Sequence, residues 1–334
     1  MRSSLLLLML CLLLFSGCTS NEIRQGKRGS SGKTLEMLLV ADKSVYNGDT
    51  KHLIDTIFRA PQKGLHSAEP MFDVVNIPVS SFRNTEMFRV HRNVMLCEIA
   101  DTNRNKVYKY VDRWAAPQVV FEFAASSRRA LDSMISAHSV QVVAAMHQAD
   151  YRRIAKAFGS TKGYEVMEAI HNQFGFDLTV SNEFELAKPN NASKDFAWIR
   201  KEAKDFGIGV LVYVFDYKDA AAFEQKNILD CMDTMMRHHV GGSAEGSYMG
   251  TERRLDIYSE VVDFKGAKYA VETRGRWRTF GDYMGGPFVN YTLLDPSGSK
   301  VIMLTGYVFC PRFDKRDYLM QVDGICRSLS FEKK

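Results

Sequence analysis

Residues 208–215 (IGVLVYVF) form an almost wholly apolar run, and no other stretch restricts the fold as strongly. Such a run reads as a central strand of a sheet. A helix is expected after it, with Ile228, Leu229, Met232, Met235, Met236 and His239 on one face. Strand-like segments then follow at 255–264, 267–275, 287–294 and 301–310, with turn signals at 263–266 and 295–298. A last helix carries Tyr318, Leu319, Val322, Ile325, Cys326 and Leu329 on one face. The pattern predicts an α+β fold with helices packed on a mainly antiparallel sheet.

The preceding part has a different texture. Residues 35–41, 71–77, 94–99 and 119–123 read as strands, and Leu53, Ile54, Ile57 and Phe58 as a helix capped at Asp49 or Thr50 and stopped by Pro61. A long helical pattern begins at Ser126 or Ser127 and runs through Leu131, Ile135, Val142 and Met146. It resumes to Phe174 after a break at 159–163, with Gly175 as its cap. Further strands are expected at 176–180, 184–187 and 196–199. The division expected is an α/β sub-domain over 34–175 and an α+β sub-domain over 176–334. The second half is similar, at the level of fold alone, to the PsbP- and Mog1-like sandwich.

The N-terminus decides location. Arg2 precedes an apolar run from Leu5 to Phe15, then Ser16, Gly17 and Cys18. This is the pattern of a lipoprotein signal over 1–17, with diacylglycerol on the Cys18 thiol. Thr19 in place of Asp favours the outer membrane. Residues 18–33, rich in Ser, Gly, Lys and Arg, read as a flexible tether. A net charge of +5 is too mild to argue for nucleic acid.

Familiar chemistry is weakly represented. Gly32-Lys33-Thr34 lacks the earlier glycine of a phosphate loop, since position 27 is Lys. His238 and His239 point about 100° apart on a helix, which suits a core role better than a shared metal. The four body cysteines, Cys97, Cys231, Cys310 and Cys326, read as small buried hydrophobes, with a Cys310–Cys326 disulfide open as an alternative. No serine elbow is present, and no cofactor is implied.

The unusual segment joins Arg274-Gly275-Arg276-Trp277 to Met284-Gly285-Gly286-Pro287-Phe288. One reading is a strand bulge and a tight turn. The other is a loop presenting Arg274, Arg276 and Trp277, beside Tyr283, to an anionic or flat ligand.

Several motifs resemble those of the Bacteroidota lipoproteins grouped as domain-of-unknown-function family 4837. They are Glu69-Pro70-x-Phe72-Asp73, Ile77-Pro78, His91-Arg92-Asn93, Gly246-Ser247-Tyr248-Met249, Arg274-Gly275-x-Trp277, Met284-Gly285-Gly286-Pro287-Phe288, and Pro311 with Lys315-Arg316. The resemblance runs from about residue 33 to 331. It departs at Tyr46, where Trp is expected, and at Arg276, where an apolar residue is expected. It implies a cell-envelope lipoprotein and supplies no activity. The leading expectation is a non-enzymatic, lipid-anchored protein that binds an envelope protein or a small ligand. One alternative is an envelope hydrolase drawing on His91, Arg92, Glu69 and Asp73; another is a structural lipoprotein without a ligand.

Overall fold

Short apolar runs separated by helical segments build the first sheet. The computed structural model describes residues 27–65, 68–189 and 191–331, so the signal segment, Cys18 and most of the tether lie outside the described residues. Strand β1 (Glu36–Val40) leads through helix α1 (Gly48–Phe58) to β2 (Asp73–Ile77). Two short helices, α2 (Val79–Asn84) and α3 (Glu86–Arg89), precede β3 (Asn93–Ile99), β4 (Lys106–Val111) and β5 (Val119–Ala125). The order is β2-β1-β3-β5-β4, parallel except for the edge strand β4. Strand β4 is an edge strand, largely exposed, and its two lysines interrupt Val107, Tyr108, Tyr110 and Val111, so it escapes the sequence pattern.

Helix α4 (Arg128–Ser160) covers this sheet. Ser127 caps it, its Oγ accepting from the Ala130 N–H at 3.2 Å. Leu131, Ile135, Val142, Met146 and Ala149 lie in the first core with Phe121 and Phe123. The helix ends at the expected break, and α5 (Tyr164–Phe174) closes on Gly175, whose φ of 78° suits a residue without Cβ. Val166 and Ile170 of α5 sit in the core of the second sheet, on the far side of the expected boundary at 175.

That sheet contains β6 (Glu185–Leu186), β7 (Phe196–Glu202), β8 (Gly207–Asp216), β9 (Tyr248–Thr251), β10 (Tyr258–Val261), β11 (Tyr269–Phe280), β12 (Gly285–Leu294) and β13 (Lys300–Phe309). The order is β10-β11-β12-β13-β8-β7-β6, antiparallel throughout, and β9 also pairs with β11. Strand β8 is internal, as its run of apolar residues requires. Helix α6 (Gln225–His239) packs on one face, while α7 (Arg316–Arg327) and α5 pack on the other. The fold is therefore α+β, with a mixed five-stranded sheet and a larger antiparallel one.

Some expectations change. Residues 176–180 alternate apolar and polar but form no strand. Phe176, Leu178 and Val180 point into the second core, and the backbone pairs with the chain end: Asp177 N donates to Ser330 O at 2.8 Å, and Thr179 N to Ser328 Oγ at 2.8 Å. The expected strand at 255–264 shortens to β10. All four described cysteines are free, with Cys310 and Cys326 buried in one core and unlinked. His239 stacks on Phe196 at 4.1 Å, and its Nδ1 meets Asn191 O at 2.7 Å, which is a packed histidine.

The halves are joined by α4 and α7. Met320 of α7 enters the first core. Gly324 allows a close crossing, because a Cβ there would stand 2.8 Å from Ile154 Cγ2 of α4.

Candidate functional site

The α4–α7 crossing positions a buried charged cluster. Alternation along β11 puts Glu272 and Arg274 on the α7 side. Register then places Tyr291 of β12 opposite Glu272. Helix α7 contributes Asp323 and Arg327, one turn apart, and α4 contributes Tyr151. Arg274 Nη2 donates to Asp323 Oδ2 at 2.6 Å, and Arg274 Nε donates to Glu272 Oε1. Arg327 Nη2 donates to Glu272 Oε2 at 2.8 Å. Tyr291 Oη lies 2.7 Å from both Glu272 Oε2 and Asp323 Oδ1, and Tyr151 donates to Asp323 Oδ2 at 2.8 Å.

Two carboxylates thus face two guanidiniums, and the cluster carries no net charge. Burial alone would raise both carboxyls. Arg274 and Arg327 outweigh it and hold Glu272 and Asp323 below their usual range. Burial works against the Arg274 cation too, and the two carboxylates reverse that effect.

Beside the cluster lies a cavity of about 500 Å³, within the range of small-ligand pockets. Arg274, Glu272 and Arg327 form its polar wall, and Ile57, Met71, Val140, Val143 and Val262 supply apolar surface. Seven buried side-chain N or O atoms lack a hydrogen-bond partner among the described residues, and three of them belong to residues lining this one cavity. They are Arg274 Nη1, His147 Nε2 and Gln62 Oε1. An orphaned buried polar atom costs about 1–3 kcal/mol, so their grouping around one cavity needs an explanation.

His147 also dictates a pH response. Burial first, and the Arg274 charge second, lower its pKa from 6.5 to about 4. The folded chain therefore holds the neutral ring where the unfolded chain already binds a proton. The neutral ring's contribution is complete above about pH 6.5 and is lost as pH falls toward 4, for a total of about 3 kcal/mol. His147→Phe is expected to flatten the acid limb in that window, read by urea unfolding at pH 7 and pH 4.5. An unchanged limb would remove His147 as its source.

Of the residues singled out in the sequence, only Arg274 lies here. Trp277 sits an odd number of residues further along β11, so it faces α6. It is 3% exposed and its Nε1–H donates to Val308 O at 3.2 Å. Tyr283 is fully exposed in the turn after β11. The three do not form one site. The glycines instead seat aromatic rings across regularly paired strands: Gly286 opposes Trp277 and Gly275 opposes Phe288. That replaces the expected bulge.

The hydrolase alternative also separates. Glu69 Oε2 accepts from Lys315 N at 2.8 Å and Arg316 N at 2.7 Å, which caps α7. Asp73 pairs with Arg316 at 2.7 Å. His91 Nε2 meets Glu36 Oε1 at 2.6 Å, and Arg92 pairs with Asp150 at 2.8 Å. These side chains fasten elements together and do not converge on a cleft.

Seen whole, the chain is a two-sheet α+β protein with a polar-walled cavity at the seam. Residues 164–328 match the family model of a domain of unknown function, DUF4837, and residues 30–159 match that of a second, DUF8532. The likeness to the first is confined to the second sheet with its helices, and the likeness to the second to the first sheet with its helices. No curated protein and no solved structure matches the chain. No helix among the described residues is long and apolar enough to cross a membrane.

Proposed function

We propose that this chain is a lipid-anchored binding protein of the cell envelope, not an enzyme, and that it holds a small amphipathic molecule in the seam cavity. The observation that carries the reading is that three residues lining one cavity, Arg274, His147 and Gln62, each hold a buried side-chain polar atom without a partner among the described residues. A ligand that accepts from Arg274, donates to Gln62 and pairs with His147 Nε2 would satisfy the three orphans, while its apolar body covers Val140, Val143 and Met71. The titratable groups argue for binding over catalysis. The cluster carboxylates are charge-matched, and a histidine titrating near pH 4 is a weak base at neutral pH.

The anchor rests on the sequence of residues 1–18. Two or more acyl chains on Cys18 give the stable attachment that one does not. Thr19 favours the outer membrane. Cys18→Ala is expected to move the protein from the membrane to the soluble fraction; retention at the membrane would count against the lipid.

The cavity is tested on the full chain isolated from its native envelope. Ala144 lines the cavity and is exposed, so Ala144→Trp blocks it with little cost to packing. Mass spectrometry after denaturation is expected to find a small molecule released from the native chain and lost from the variant. Equal content in both, or none in either, would overturn the reading.

A further inference from the structure

A second cavity, of about 390 Å³, lies at the other face of the antiparallel sheet, beside α6. Its lining is markedly aromatic: Trp198, Trp277, Tyr307, Phe309 and Phe206. The rings are held in place. Trp277 and Tyr307 meet edge to face at 5.8 Å, and Trp198 Nε1 donates to Tyr307 Oη at 2.9 Å. Gly209 leaves room for the Tyr307 ring, since a Cβ there would lie 2.8 Å from it.

Two features of this wall are unused by the fold. Tyr307 is 6% exposed and accepts from Trp198, yet its own hydroxyl hydrogen has no acceptor among the described residues. Burial pushes this phenol upward, so it stays protonated and can donate. One cation also stands unpaired at the mouth. Arg200, Glu202 and Lys204 all line the cavity; Arg200 and Glu202 pair with each other at 3.4 Å, and Lys204 has no ion pair among the described residues.

We infer that this cavity binds a flat aromatic molecule carrying an anionic group, with the ring among the aromatic side chains and the anion directed to the Tyr307 hydroxyl and the Lys204 cation. Aromatic faces favour a flat ring by stacking and edge contacts. With Arg200 and Glu202 matched, the unpaired Lys204 cation and the free O–H donor favour an anionic acceptor. The site is independent of the seam cavity and shares no lining residue with it.

The test uses two dyes on the full chain: anionic 8-anilino-1-naphthalenesulfonate and its neutral analogue N-phenyl-1-naphthylamine. Ala203 lines the mouth and is exposed, so Ala203→Trp occludes the cavity without disturbing the core. It is expected to weaken both dyes about tenfold or more. Lys204→Gln is expected to weaken the sulfonate about threefold or more and leave the neutral dye within about twofold. Ala144→Trp, which blocks the seam cavity, should change neither. Undiminished dye binding in Ala203→Trp, an equal effect of the charge variant on both dyes, or loss of the sulfonate dye in Ala144→Trp would each overturn the inference.

Discussion

Asp323→Ala is expected to lower the unfolding free energy by about 3–5 kcal/mol at neutral pH. Asp323 is 1% exposed, and four groups depend on it: Arg274, Arg327, Tyr151 and Tyr291. Removing it leaves two buried guanidiniums facing one carboxylate, and Tyr151 without its carboxylate acceptor. The cost comes from the partners left behind, not from the strength of the pair itself. An exposed pair provides the contrast. Asp230, bonded to Lys226 at 2.7 Å and to Arg253 at 2.8 Å on the surface of α6, is expected to cost far less when changed to Ala. Urea unfolding of both variants checks the difference, and equal losses would mean that the cluster does not join the two halves.

Gly286→Ala is expected to destabilise by about 3 kcal/mol or more. A Cβ at Gly286 would lie 1.9 Å from the Val308 carbonyl oxygen. Backbone, not a flexible side-chain tip, stands in the way. Strands β12 and β13 are covered on both faces, so neither can shift without disturbing both cores. Gly159→Ala is the control: nothing lies within 4 Å of a Cβ there, and in the last turn of α4 it should stabilise by up to about 1 kcal/mol. Thermal unfolding of the two variants should shift in opposite directions. A Gly286→Ala protein as stable as the native chain would show that the Trp277–Gly286 pairing tolerates a side chain.

Much of the architecture is legible because burial writes periodicity into the chain. The run at 208–215 identifies an internal strand, and the spacing of Leu131, Ile135, Val142 and Met146 identifies the long helix that covers the first sheet. Gly175 marks a helix end because only its conformation closes the turn. The exposed strands β4 and β10 leave weaker traces, and Phe176, Leu178 and Val180 imitate a strand while serving as plugs in the second core. The Arg-Gly-x-Trp motif was visible, but its meaning depended on a register that one sequence cannot supply. Arg274 and Trp277 take opposite faces of one strand and so belong to different cavities.

The seam site itself was largely hidden. His147, Gln62, Tyr151, Asp323 and Arg327 are far apart in the chain, and no local motif links them. One signal did exist: Asp323 and Arg327 interrupt the apolar pattern of the last helix between Val322 and Leu329. Charges on a face that must be buried require partners in the opposing layer.

The most direct test of the seam cavity is a crystal structure of the chain purified from its own envelope under mild detergent. The expected result is a bound organic molecule with an acceptor within hydrogen-bond distance of Arg274 Nη1 and a donor at Gln62 Oε1. Ordered water alone satisfying Arg274, His147 and Gln62 would contradict the account and leave the cavity a solvated joint between the two sheets.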